Sequence, residues 1–329
     1  MSDKITLRDI YLARQRIAPV VNRTHLVESP WLAEIAGTRV SLKLENHQVT
    51  GSFKIRGATN KTLGLTREAR DRGIVTVSSG NHGRAVSYIA RSLGVRAVVC
   101  LPETVPENKR EAIKSLGAET VVKGQNADEA MAYADLLRAE RGLTMVHPFD
   151  DPLVIAGQGT IGLELLEELP QLDTVIVPLS GGGLLAGIAL ALKSADPSIR
   201  TIGVSMERGA AMVDSLKAGK IVDIVEEPTL ADALAGGLNP DNTHTFKMIQ
   251  QYVDDTVLVS EEEIAAAMAF AFKQHHLVVE GGGAVGIAAL LHNKLERLGK
   301  QVVVVVSGGN VDTSLLMQIA QNQYPHQSD

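Results

Sequence analysis

The chain is short of the residues on which several large function classes depend. Among its 329 residues is one cysteine, Cys100, so no internal disulfide can form and a reducing cytoplasm is the expected setting. Aromatic residues make up 3% of the chain, too few for the stacking platforms that hold single-stranded nucleic acids. No run of lysine and arginine is long enough to follow a phosphate backbone, and the net charge is −6, so no nucleic-acid partner is expected. Apolar runs such as "LLAGIALAL" fall well short of the roughly 20 residues that span a bilayer. The opening "MSDKITLRDI" carries charge where a signal peptide would be apolar, and no membrane association is expected. A phosphate-binding loop ending in Gly-Lys-Ser/Thr is missing as well.

What is present is aliphatic and alternates in period. The segments "RVSLKLE", "GIVTVSS", "RAVVCLP", "ETVVKG", "TMVHP", "DTVIVPL", "RTIGVS" and "QVVVVVS" read as strands. Amphipathic stretches such as "GRAVSYIARSLG", "ENKREAIKSLGA", "ADEAMAYADLLRAERG" and "GLLAGIALALKSAD" separate them and read as helices. Several strands are almost unbroken Val/Ile/Leu, which suits parallel sheets covered on both faces. The repeated strand–helix order makes the fold class α/β, with open, twisted, mostly parallel sheets flanked by helices. The units from Ile74 to Pro148 form a compact run. The expected division is a small domain, 74–148, and a large one built from 1–73 and 149–329.

Three strand ends and one lysine carry the chemistry. "TVIVPLSGGGLLAGIALAL" runs a strand into Ser180-Gly181-Gly182-Gly183 and directly into a helix, which makes a cup of unobstructed N–H groups suited to one phosphate. "GIVTVSSGNHG" places Ser78, Ser79, Gly80, Asn81 and His82 after a strand, and "QVVVVVSGGN" does the same with Ser307 to Asn310. Ligands of open α/β sheets bind outside the carboxyl ends of strands, so the three loops are candidates to meet at one ligand. In "ENHQVTGSFKIRGATN", Lys54 stands at the head of an apparent helix, with Ser52 as a candidate cap and the Phe53 ring beside the amine. Burial and a helix N-terminus both lower an amine pKa, as a reactive lysine needs. "GQGTIG" at 157–162 matches the dinucleotide fingerprint formally. It follows a segment with two prolines and lacks the later carboxylate, so it reads as chance or a helix N-terminus.

Taken in order, Ser52-Phe53-Lys54, "SSGNHGRA", "GGGLLAG" and "VVSGGN" resemble pyridoxal-phosphate enzymes of the tryptophan-synthase-β fold type, within them the serine/threonine dehydratase and serine racemase group. "PETVPENKREAIKSLGA", "HPFDDPLVIAGQGTIGLE" and "DDTVLVSEEEI" extend the likeness over nearly the whole chain. The resemblance implies a two-domain fold, pyridoxal 5'-phosphate as cofactor, an amino-acid substrate and a homodimer. Lys54 would hold the cofactor through its amine and then take the substrate α-proton. Phe53 would pack near the ring, the amides of Gly181, Gly182, Gly183 and Leu184 would bind the phosphate, Asn81 would meet the ring hydroxyl and Ser307 the ring nitrogen. Ser78, Asn81 and His82 would hold the substrate carboxylate, and Ser79 matches the second base of a racemase. The implied reaction is loss of water from a threonine- or serine-like 3-hydroxy amino acid, giving a 2-oxo acid and ammonia. Racemisation is the alternative, and a non-catalytic relative is disfavoured by the intact lysine and glycines.

Departures from the group sit on the expected substrate side. Arg84 replaces a usual glutamine, Ser180 opens a loop that usually has four glycines, Glu280 precedes three glycines where Glu-Pro is common, and "LADALAGGLN" replaces Ala-Asp-Gly-Ile-Ala-Val. The last two resemble dehydratases of hydroxyectoine breakdown. Many relatives hold a divalent cation through a glutamate and an aspartate whose positions here are Ser205 and Ala211, so no metal site is expected. Glu207 is displaced by two residues, and His275-His276 are adjacent and ill-placed to share an ion. Little chain follows Asn310, and a C-terminal regulatory domain is expected to be lacking.

Overall fold

The computed structural model describes residues 4–105 and 107–321. Among the described residues, ten strands order into two sheets: β1 (Leu26–Glu28), β2 (Arg39–Leu44), β3 (Ile74–Val77), β4 (Ala97–Leu101), β5 (Glu119–Val122), β6 (Thr144–Met145), β7 (Thr174–Pro178), β8 (Arg200–Met206), β9 (Asp255–Val259) and β10 (Gln301–Val306). The larger sheet runs β1-β2-β10-β7-β8-β9 and the smaller β5-β4-β3-β6. Every neighbouring pair is parallel except β1 with β2. All eight strands read from the sequence form. The two it left out, β1 and β9, are edge strands of the larger sheet.

The valine run of β10 shows why these segments are strands. Side chains alternate between the faces of a sheet, so an unbroken apolar run needs cover on both. Val303 and Val305 join one core with Ile155, Ile161, Leu185 and Ile188, from the helices Pro152–Glu168 and Gly183–Ala195. Val302, Val304 and Val306 join a second core with Ile264, Met268, Val285 and Ile287, from the helices Glu261–His275 and Gly281–Leu291. The smaller sheet is covered in the same way. Ile74, Val99 and Leu101 face Val86 and Ile89 of the helix Asn81–Leu93, and Val75, Val98 and Cys100 face Ala134 and Leu137 of the helix Ala127–Arg141.

Register then fixes the site. Val304 lies opposite Leu42 of β2 and Ile176 of β7 in parallel pairing. The carboxyl ends of β2, β10 and β7 therefore open on one edge, and the loops carrying Lys54, Ser307 and Gly181–Gly183 leave from it. "GQGTIG" lies inside the helix Pro152–Glu168, which starts at Asp151 as N-cap, so it is neither a fingerprint loop nor a helix N-terminus. Its glycines allow close helix packing: a methyl group at Gly157 would lie 2.7 Å from the Arg56 carbonyl oxygen, and one at Gly159 would lie 2.9 Å from that of Gly187.

Candidate active site

The helix Lys54–Gly64 begins at the reactive-lysine candidate, but not through a serine cap. Its N-cap is Phe53, in a right-handed helical conformation and with no side-chain cap bond. Ser52 is drawn away instead: it forms a β-bridge with Gly308, and its buried hydroxyl has no hydrogen-bond partner among the described residues. Phe53 N–H donates to the Ser307 carbonyl at 3.0 Å, and Gly309 N–H to the Gly51 carbonyl at 2.9 Å. Gly51 has φ +76, and a methyl group there would press on the Asn310 amide. The lysine segment and the Ser307–Asn310 loop are thus laced together, backbone to backbone.

The Lys54 amine donates to the Pro148 carbonyl at 2.8 Å and lies 5.2 Å from the centre of the Phe53 ring. Burial pushes its pKa down to about 8 against the opposing pull of the Glu280 charge. Burial, rather than the helix terminus, is the dominant cause. Behind the lysine, the same helix is anchored by Arg56, which is 1% exposed. Its guanidinium donates to both oxygens of Glu45 at 2.8 Å and to those of Glu164 at 2.6 and 3.0 Å. Lys43 completes the cluster at 2.8 Å from Glu164. Burial alone would raise the Glu45 carboxyl, but the charge and hydrogen bonds of Arg56 outweigh it and hold it below the ordinary range.

Pro148 belongs to a segment to which the sequence assigned no site residue. His147 Nδ1 accepts the N–H groups of Phe149 and Asp150 at 3.2 and 2.8 Å, and burial lowers its pKa to about 4, so the ring is neutral. The Phe149 ring packs on Gly181, and a methyl group at Gly183 would lie 2.8 Å from the Phe149 carbonyl oxygen. Asp150 accepts N–H groups from Thr243, His244 and Thr245, which caps the helix Thr245–Tyr252. One segment therefore joins the lysine to the glycine loop. Gly182 takes φ +87 as N-cap of the next helix, a conformation that favours glycine, and Gly183 and Leu184 begin that helix.

The third loop closes the site from the smaller sheet. Asn81 Nδ2 donates to Glu280 Oε1 at 2.6 Å, and its Oδ1 accepts from Asn310 Nδ2 at 2.7 Å. His82 Nε2 bonds the Val146 carbonyl at 2.9 Å, while its buried Nδ1 has no partner among the described residues. Burial and the nearby Lys54 charge push the His82 pKa down to about 3. Ser78 accepts from Gly80 N–H at 3.3 Å. Ser79 is half-buried in the same turn, and no described contact ties it to Lys54. Ser307 donates to the Gly282 carbonyl at 3.4 Å and is 3% exposed.

Two departures noted in the sequence pack against each other here. Glu280 caps the helix Gly281–Leu291, and a methyl group at Gly281 would run into the Leu230 carbonyl of "LADAL". Leu230 N–H is held in turn by Glu261 at 2.7 Å. Lys109 reaches across from the helix Glu107–Ser115 to Asp232 at 2.9 Å. Ser205 is buried at the end of β8 and Ala211 starts the helix Ala211–Ala218, while Glu207 pairs with Lys294 at 3.4 Å. Among the described residues, no group of three or more histidine, cysteine or acidic side chains gathers to hold a metal ion.

The comparison with known sequences decides the family. The family described as "Pyridoxal-phosphate dependent enzyme" matches residues 17–308. The chain belongs to it. A putative threonine dehydratase of Sinorhizobium fredii is 49% identical over 96% of this chain and 95% of its own. The L-threonine ammonia-lyase of Thermotoga maritima is 45% identical over 96% of this chain and 78% of its own. The structure of maize serine racemase superposes with a TM-score of 0.90 at 35% identity, covering 96% of this chain and 97% of that one.

The residues present fit this family's cofactor on their own geometry. A depressed lysine amine suits a carbonyl partner, the glycine cradle leaves room only where side chains are absent, and Ser52 Oγ and His82 Nδ1 are buried polar atoms awaiting a partner.

Proposed function

We propose that this family member is a lyase that removes water from a small threonine- or serine-like 3-hydroxy amino acid and releases ammonia and a 2-oxo acid. The observation that carries the reading is the half-buried Lys54 amine, with its pKa lowered to about 8, where the Pro148 segment and the Ser307 loop meet. The names of the two sequence relatives support the same reaction class. When bound, pyridoxal phosphate supplies the electron sink that makes the substrate α-proton removable. Lys54 holds that cofactor and afterwards accepts the α-proton, and an amine near its pKa at neutral pH can do both. The amides of Gly181, Gly182, Gly183 and Leu184, at the start of their helix, take the phosphate. With the cofactor bound, Ser307 would offer a neutral hydroxyl to the ring nitrogen, which would leave the ring without full positive charge and suit loss of a β-substituent. Asn81 would meet the ring hydroxyl and Phe53 would pack near the ring. Ser78, Asn81 and His82 receive the substrate carboxylate at the start of the helix Asn81–Leu93.

Racemisation, with Ser79 as the base opposite Lys54, is the second reading, on the likeness to maize serine racemase. The co-packed Glu280-Gly and "LADAL" segments favour a narrower substrate, one connected with hydroxyectoine breakdown. The reading also carries a cytoplasmic homodimer, with a small domain of 74–148 set against 1–73 and 149–329. The test is a panel of 3-hydroxy amino acids scored for ammonia, 2-oxo acid and D-enantiomer. Ammonia and 2-oxo acid in equal amounts are expected. D-enantiomer without ammonia would replace the lyase by a racemase.

A further inference from the structure

Glu280 has no part in the roles above, yet it is a buried carboxylate, 4% exposed, that bonds a residue assigned to the cofactor. Its two described hydrogen bonds are the Asn81 side-chain amide and the Asn310 backbone N–H. The surrounding bonds form a chain with one direction. Asn310 Nδ2 donates to the Thr50 carbonyl at 2.8 Å and to Asn81 Oδ1 at 2.7 Å, which uses both of its N–H groups. Asn81 then has its oxygen committed to Asn310 and one of its two N–H groups committed to Glu280 at 2.6 Å. One N–H remains. A side-chain amide can otherwise turn end for end at little change in shape, and would then offer an oxygen where a donor is needed.

We infer that Glu280 is a positioning residue: by accepting one N–H of Asn81, it keeps the other aimed as a donor at the cofactor's ring hydroxyl. The inference rests on the reading of Asn81 as the partner of that hydroxyl. The charged groups facing Glu280 are Asp232 from the turn Asp232–Leu234, Arg84 from the helix that carries Asn81, and Lys54. None of them bonds Asn81, so the Asn81 amide has two polar anchors, Glu280 and Asn310.

The test is a double-variant cycle on the reconstituted enzyme, read by pyridoxal 5'-phosphate affinity and by the visible spectrum of the bound cofactor. E280A is expected to weaken cofactor binding about tenfold and to shift the absorbance maximum, because a buried bond that fixes Asn81 is lost. N81A should do at least as much. In the N81A background, E280A should then change affinity by less than about twofold and leave the spectrum alone, since a residue acting through Asn81 has nothing left to act on. The same loss in both backgrounds would overturn the inference. An N81A variant with wild-type affinity and spectrum would overturn the assignment of Asn81 itself, a separate outcome. Should E280A not fold, E280L takes its place in the same cycle. That variant keeps a similar volume but offers no acceptor to Asn81, and the same two results decide.

Discussion

Two buried carboxylates lie on either side of the lysine segment, and they are opposites. Glu45 is fully buried, gripped on both oxygens by Arg56, and held below its ordinary pKa. Glu280 is almost as buried, meets amides rather than a cation, and is pushed up to about 7 by burial and by the charge of Asp232. Burial raises both, so the partner decides. A guanidinium with every donor satisfied locks a charge into the framework, whereas amide donors leave the carboxyl able to gain or lose a proton near neutrality. The first arrangement fixes the helix Lys54–Gly64 from behind. The second faces the place where chemistry is expected, as perturbed groups often do.

The strongest way to break the contrast is Arg56→Met. Removing the guanidinium leaves Glu45 and Glu164 buried, with Lys43 alone to balance them, and should destabilise the protein by roughly 3–5 kcal/mol. Glu280→Gln removes no ion pair and should destabilise by less than about 3 kcal/mol. Urea denaturation of both variants compares them directly. Equal losses would erase the distinction between anchor and site.

Acid titration gives a finer test, without cofactor. His82 and His147 sit at about 3 and 4 in the folded protein, below their ordinary 6.5, so the unfolded chain binds more protons and stability falls as pH drops below that value. Glu280, raised from 4.5 to about 7, binds its proton better in the folded state and opposes that slope over the same window. Glu280→Gln should therefore steepen the rise of stability between about pH 5 and pH 6.5 by about 1.4 kcal/mol per pH unit. An unchanged slope would place the Glu280 pKa near that of an ordinary carboxylate.

The smallest expected effect belongs to Ser79, two residues before Asn81 in sequence but with no described hydrogen bond to Asn81 or Glu280. Ser79→Ala should lower ammonia release by less than about tenfold while any racemisation disappears, because elimination needs one base and racemisation two. Equal losses of both, measured on one substrate, would make Ser79 a substrate-holding residue.

The contrast also marks where the sequence was legible. The β10 valines and the glycines at 181–183 announce themselves because burial on two faces and freedom from side chains are written locally. β1 and β9 were passed over: one has three residues, the other opens on Asp255 and Thr256, and edge strands lack the unbroken apolar run. Ser52 was misread as a cap because its real partner, Gly308, is distant in sequence. Arg56 had no signal at all, since Glu45 and Glu164 come to it from two other elements, Glu164 from 108 residues away. Glu280 was noticed only as a departure, and Pro148 and Phe149 only within longer segments, with no site role of their own. Each is defined by what folds against it.

The account turns on Lys54 as the amine that carries the cofactor, with Lys43 and Lys61 as the nearby lysines already committed to Glu164 and Asp151. Reduction of the reconstituted enzyme with borohydride, followed by mass mapping of its peptides, tests this most directly. The account predicts one pyridoxyl group per chain, on the peptide containing Lys54, and none in Lys54→Ala, which should also lose turnover and the visible absorbance of bound cofactor. A pyridoxyl group on Lys43, Lys61 or any other lysine of the wild-type enzyme, with Lys54 unmodified, would contradict it.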